Sequence, residues 1–320
     1  MIPQILNKYL GFSNPSKKNP NSIYIGLIGG VGDLVLAAPS IAALKKKYPH
    51  AKLCFGVGGS IFYDIIANDP NIDEFDTPLF YWPPTKNIWK QLVRKRVEWQ
   101  KNLHYDWVLL LDNPTHDWWK EGKHLIDMYA ERCEITLERR RPVVYLNEED
   151  ESQAEKILEQ SGVQKGEPFI VLSPETRSSK DIKEWPHQNF VELVRRIHDK
   201  FPIKIITLVS PSSDRDYPGS VTVKNAPTIR SAAAIIKRAC LFLGLNNGLA
   251  HIAGAFDEKI VCIHIGFPIE VGGVISPHAV FTSKEPFCDP KSISIEMVFQ
   301  EVEKVLNNVR FNTTHQPPQN

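Results

Sequence analysis

The chain has 320 residues, 42% of them apolar and 23% charged, an ordinary globular composition with room for two domains. Its 38 Lys and Arg nearly cancel its 37 Asp and Glu, which argues against a protein that coats nucleic acid or another polyanion. Five cysteines (Cys54, Cys133, Cys240, Cys262, Cys288) lack C-x-x-C spacing; they suit a reducing compartment and offer no zinc site.

Residues 1–20 are polar and rich in Pro and Asn, with Ile2, Ile5, Leu6, Tyr9 and Leu10 at helical spacing. Such a stripe rests on a membrane or packs on the protein body, and packing is favoured. The segment has no apolar core of signal-peptide length, and no run in the chain approaches the roughly 20 apolar residues of a membrane span, so a cytoplasmic protein is expected. Near-continuous apolar runs follow at Ile23–Ile28, Lys52–Val57, Trp107–Leu111, Phe169–Leu172, Ile203–Val209, Leu241–Leu245 and Ile260–Ile265. They read as parallel strands covered on both faces. Helical patterns at Asp33–Tyr48, Gln188–Phe201 and Thr228–Cys240 lie among them, giving βαβ units with right-handed crossovers. The pattern breaks between Leu146 and Glu167, where a polar, acidic helix over Glu148–Gln160 ends at Ser161-Gly162 and Lys165–Pro168 leads into a fresh strand. The expected division is an extension at 1–20, an α/β domain at 21–150, a linker at 151–166, a second α/β domain at 167–293, and a terminal helix and tail at 294–320. The fold class is α/β, two Rossmann-like domains facing a central cleft, with ligands outside the carboxyl ends of the strands.

Three loops at those ends carry chemistry. Gly29-Gly30-Val31-Gly32-Asp33 opens a helix, but position 35 is Val where a dinucleotide fingerprint needs a small residue, and no acidic residue closes the second strand. Asp33 is placed to cap that helix or to act as a general base, and the two roles are compatible. Ser173 to Pro186 holds hydroxyls at Ser173, Thr176, Ser178 and Ser179 and cations at Arg177, Lys180 and Lys183, a set that suits a diphosphate. The plain alternative is a solvated loop. Gly244 to Ala255 turns through Asn246-Asn247-Gly248 into a small-residue helix with His251 one turn in. Its N-terminal amides are candidates for a phosphate, whereas a lone histidine there is more often structural.

In this order the motifs Ile25–Pro39, Lys183-Glu184-Trp185-Pro186 and Gly244–His251, with lesser matches at His124–Tyr129 and Gly266-Phe267-Pro268, resemble glycosyltransferase family 9, the ADP-heptose:lipopolysaccharide heptosyltransferases. The resemblance spans roughly residues 22–300. It implies a GT-B fold and inverting, metal-independent transfer from a nucleotide-sugar donor, ADP-linked, with no further cofactor. Asp33 would be the base; Lys183 and Thr176, beside Ser173, would grip the donor diphosphate. Asn247, Gly248 and Leu249 at the helix start would touch the same phosphates, Asp214 the ribose, and Asn246 with His251 would border the donor. Asn246 departs from the family's usual Asp, and Ser173-Pro174-Glu175 from its usual small-residue run. The acceptor would be an anionic glycan or glycolipid of the lipopolysaccharide-core kind. The basic, aromatic stretch Lys86–Lys101 would serve that acceptor, peripheral contact with the inner face of the inner membrane, or only solvent. Another nucleotide-sugar, a protein acceptor, or a sugar-nucleotide epimerase of like fold are the alternatives; a nicotinamide oxidoreductase is disfavoured by the broken glycine pattern.

Overall fold

The computed structural model describes residues 19–27, 29–57, 63–76, 105–111, 118–177, 179–224 and 226–310. They divide into two compact units, one holding the described residues up to Tyr145 together with Glu270–Ile275, the other Leu146–Ile269 with the described residues from Ser276.

The first unit is built on strands β1 (Ser22–Leu27), β2 (Lys52–Val57), β3 (Glu74–Asp76) and β4 (Trp107–Leu110). All pair in parallel in the order β3-β2-β1-β4, so the chain reverses direction across the sheet between β1 and β4. Helix α1 (Val31–Lys47) follows β1, and α2 (Leu125–Arg132) packs against it. Ile23, Ile25, Leu27 and the α1 residues Leu34, Val35, Leu36 and Ile41 are fully buried, which is why the β1 run carries no polar alternation. Tyr24 lies across β2 at Gly56, where a Cβ would sit 2.0 Å from its hydroxyl oxygen; the phenol reaches past to donate to Asp76 Oδ2 at 3.0 Å. Pro39 inside α1 removes the N–H that would bond the Val35 carbonyl. Val143 donates to that carbonyl instead, at 3.4 Å, and so fastens the end of the unit to α1.

The second unit holds β5 (Phe169–Ser173), β6 (Lys204–Leu208), β7 (Val221–Val223), β8 (Leu241–Leu245), β9 (Ile260–Ile263) and β10 (Ala279–Thr282), parallel in the order β10-β9-β8-β5-β6-β7. This is the doubly wound dinucleotide-fold order, and its switch point lies between β5 and β8, where ligands of such sheets bind. Helices α3 (Glu148–Gln160), α4 (Lys180–Lys183), α5 (His187–Lys200), α6 (Ile229–Ile236), α7 (Gly248–Ala255) and α8 (Ile295–Leu306) surround it. One apolar cluster joins Ile170 and Leu243 of the sheet to Phe190 and Val194 of α5 and Val298 and Val302 of α8. Trp185 is buried in that cluster, its indole N–H donating to the Ile293 carbonyl at 2.8 Å.

The structure differs from the sequence reading in two respects. The helix expected over Glu148–Gln160 is α3, capped by Asn147 and packed on α6, but it belongs to the second unit and is no linker; the division falls after Tyr145, and Glu270–Ile275 returns to the first unit. The short strands β3, β7 and β10 were also missed, because edge strands are half exposed and carry little apolar signal. The expectations for residues 1–18 and 86–101, and Ile28 and Ser178, fall outside the described residues. Among the described residues no helix is long and apolar enough to cross a membrane.

The α3–α6 contact is fixed by buried Asp150, whose carboxylate accepts from Arg230 Nε at 3.0 and 3.1 Å while also capping Asn147 N. Removing one partner of a buried pair strands the other's charge. Arg230→Ala is therefore expected to lower unfolding stability by roughly 2–4 kcal/mol, read as a fall in denaturation midpoint at constant m-value.

Candidate active site

In the first unit the turn after β1 is shaped around a carboxylate. Asp33 stands at the third position of α1, where its Oδ2 accepts the Gly30 N–H at 2.7 Å, the acidic half of a capping box. A Cβ on Gly29 would lie 2.5 Å from Asp33 Cβ. Glycine is thus required there to admit the aspartate side chain. Oδ1 of Asp33 accepts from the Tyr129 hydroxyl of α2 at 2.8 Å. The helix N-terminus adds a partial positive charge beside the carboxylate. The result is an ionisable group fixed at the carboxyl end of β1, on the side of the sheet where such folds do chemistry.

In the second unit β5 and β8 end side by side, with Ser173 paired to Gly244. A Cβ at Gly244 would lie 2.3 Å from the Ser173 carbonyl oxygen, so only glycine lets the two strand ends approach this closely. Asn247 bridges them: its Nδ2 donates to Ser173 Oγ at 2.9 Å and to the Glu175 carbonyl at 2.8 Å. Its Oδ1 accepts from the Leu249 and Ala250 amides at 3.0 and 3.1 Å. Asn247 is therefore the N-cap of α7 and occupies the Leu249 amide. The Gly248 amide lies outside that cap. Ser173, Thr176, Asn246 and His251 are all buried.

Lys183 closes α4 and is half-buried, its Nζ 5.1 Å from the centre of the Phe267 ring. Gly266, at φ +100°, brings its backbone against Ile182 and the Lys183 stem, where a Cβ would meet the Ile182 carbonyl oxygen at 3.2 Å. The cation is close enough to oppose, though not overcome, the effect of burial that pushes the Cys262 thiol pKa up. Lys183 thus stands with the loop that follows β9, beside the β8 end.

A second network links the loops after β5 and β6. The Glu175 carboxylate accepts from Ser213 Oγ at 2.5 Å and the Tyr217 hydroxyl at 3.1 Å. Burial and then the Glu175 charge push the Tyr217 phenol upward, which keeps it a donor. Arg215 donates to Glu184 Oε2 at 2.9 Å, and that carboxylate holds the guanidinium pKa above its usual value. Asp214, between these anchors, is exposed. Among the described residues no group of three His, Cys, Asp or Glu side chains is arranged to hold a metal ion.

A family model, glycosyltransferase family 9 (heptosyltransferase), matches residues 93–266, more than half of the chain. The chain belongs to glycosyltransferase family 9. No curated protein sequence matches it. Among solved structures, a family 9 glycosyl transferase from Veillonella parvula is similar at 17% identity and TM-score 0.69, covering 90% of this chain and 98% of that one. The ADP-heptose lipopolysaccharide heptosyltransferase II of E. coli gives 16%, 0.64, 89% and 98%. The iron-containing dodecameric glycosyltransferase TibC of enterotoxigenic E. coli gives 13%, 0.63, 91% and 80%. At these identities the likeness carries the fold, which is of the GT-B glycosyltransferase type with two Rossmann-like units.

For this family 9 member, the residues singled out from sequence sort clearly. Ser173, Asn246 and Asn247 converge at the β5–β8 switch point, with Gly248 and Leu249 opening α7 and His251 one turn in. Lys183 joins the neighbouring β9 loop, and Asp214 sits exposed beyond β6. Sequence reasoning missed Glu175 as a hub, Arg215 as the Glu184 partner, and Tyr129 as the Asp33 partner. Glu175 carried one signal, an acidic residue two positions after a buried strand; the other two pairings join residues 31 and 96 positions apart and leave no local trace.

Proposed function

We propose that this glycosyltransferase moves a heptose from ADP-heptose to a hydroxyl of a lipopolysaccharide-core or related anionic glycan, inverting the anomeric carbon in a single displacement. The Asp33 carboxylate takes the acceptor hydroxyl proton as the acceptor oxygen forms its bond to the anomeric carbon. The bond from that carbon to the β-phosphate oxygen breaks, and its electron pair leaves with ADP. Lys183, Thr176 and the Gly248 amide meet the negative charge that grows on the leaving diphosphate, so that no metal is essential. Asp214 is assigned to the ribose, and Asn246 with His251 to the border of the donor. The observation that carries this reading is the Asp33 carboxylate clamped at the carboxyl end of β1 by the Gly30 amide and the Tyr129 hydroxyl. Support for the donor comes from family membership and from the solved relative described as an ADP-heptose enzyme. The proposed setting is the cytoplasm, with contact at the inner face of the inner membrane where the acceptor is lipid-linked.

Thermal denaturation with added nucleotides tests the donor assignment. Saturation at 100 times Kd contributes about 2.7 kcal/mol, which for a chain of this size is a rise in Tm of roughly 4 °C. ADP and ADP-heptose are expected to give that rise, and UDP and NAD none. A rise with UDP alone would move the assignment to another nucleotide-sugar, and a rise with NAD alone would end it. Asn246 favours one second reading: a neutral amide stands at the β8 end where the family's usual residue is a carboxylate, so a sugar other than heptose would be admitted there.

A further inference from the structure

The two hydrogen bonds on Asp33 differ in origin. The Gly30 amide comes with the turn and would be present in any helix capped this way. The Tyr129 hydroxyl arrives from a separate helix, 96 residues on in the sequence. Its side chain is 2% exposed, and α2 is pinned about it. At the start of α2, His124 Nδ1 accepts the Ile126 amide at 3.2 Å, and Nε2 donates to the Gly273 carbonyl at 2.8 Å. That pattern needs the neutral imidazole, and burial holds the His124 pKa below its usual value. Asp127 is paired with Arg140 through two bonds of 2.8 and 2.9 Å, and the Tyr129 carbonyl accepts the Cys133 amide. A phenol on so fixed a helix does not follow the carboxylate; the carboxylate takes its direction from the phenol.

We propose that Tyr129 is the positioning residue of the Asp33 base. With Oδ2 tied to Gly30 and Oδ1 to Tyr129, rotation about the Cβ–Cγ bond is restrained, and the plane of the carboxylate is set before the acceptor hydroxyl arrives. A hydrogen bond donated to a carboxylate also favours its ionised form, so the base is kept ready before the acceptor binds. The proposal rests on the reading of Asp33 as general base.

The test uses the full chain with ADP-heptose and a deacylated lipopolysaccharide-core acceptor, comparing wild type, Tyr129→Phe and Asp33→Asn. A charge-assisted hydrogen bond contributes about 1.5–3 kcal/mol, so Tyr129→Phe is expected to lower kcat on the order of 10- to 100-fold. KM for ADP-heptose stays within about twofold. In chains labelled at the aspartate carboxyl carbon, the Asp33 resonance, assigned by its loss in Asp33→Asn, titrates at a higher pH in Tyr129→Phe. Should that variant lose its fold, 3-fluorotyrosine at position 129 keeps the shape, strengthens the donor and moves the titration down. Unchanged kcat and titration in a folded Tyr129→Phe would overturn the positioning role. So would a loss expressed only as a raised donor KM with a lowered Tm. Full turnover in Asp33→Asn sinks the base reading itself, whereas an inactive Asp33→Asn beside a normal Tyr129→Phe sinks only this inference.

Discussion

Lys183→Met is expected to reduce transfer on the order of 10²- to 10³-fold while leaving Tm near the wild-type value. The choice of methionine matters. Lys183 lays its stem against Gly266 and its ammonium over the Phe267 ring, and methionine keeps most of that apolar contact while removing the charge. Alanine would remove both and confuse packing with catalysis. If the ammonium meets the departing diphosphate, its loss is felt more strongly in the transition state than in the bound donor, so kcat falls along with kcat/KM. If Lys183 only completes the β9 loop, the cation–π contact is worth about 1 kcal/mol, and Lys183→Met shows a small loss of Tm with normal turnover. Steady-state kinetics at saturating acceptor, with a melting curve on the same preparation, separates the two. Lys183→Arg is a useful companion, because a planar guanidinium in place of a point charge restores charge but not geometry.

How far the sequence reveals this molecule depends on the range of the interaction concerned. The seven buried strands were legible because parallel strands covered on both faces need continuous apolar runs; their order was not, since the hand of a crossover leaves open on which side the next strand adds. The edge strand Glu74–Asp76 was not legible, since a half-exposed strand of mixed polarity obeys no such constraint. The α3 helix was legible from its polar, acidic pattern, but it belongs to the second unit and not to a linker. Its buried face is Ala154 and Leu158 with Asp150, and the charge partner of Asp150 is Arg230, 80 residues away. In the site, Ser173 and Asn246–Asn247 were found because a strand end followed by a turn and a helix is a local pattern. What Asn247 does there is not local. Its amide reaches Ser173 and Glu175, more than 70 residues earlier in the chain, and its oxygen takes the helix amides that the sequence pattern offers to a phosphate.

Asp33→Asn carries the largest expected effect, because it separates the two roles that the sequence assigns to this residue. As a cap, Asp33 accepts the Gly30 amide, and asparagine retains an oxygen that does the same; the cost in stability is expected to stay within about 1 kcal/mol. The Tyr129 hydroxyl turns from donor to acceptor to meet the new amide N–H. The fold around Gly29, Gly30 and α2 therefore persists. As a base, asparagine fails outright, because an amide does not take a proton near neutral pH. General-base catalysis contributes on the order of 10²–10⁴, so kcat is expected to drop by that factor with an unchanged melting curve and an unchanged rise in Tm on adding ADP. Capping alone predicts the opposite, near-normal turnover in Asp33→Asn. Asp33→Ala is the weaker probe, since it removes cap and base together and loses about 1 kcal/mol of helix stability. A shape-conserving change that abolishes transfer without moving nucleotide binding is the signature of a proton acceptor, and rescue by small carboxylates such as formate in Asp33→Gly would locate the missing group at this position.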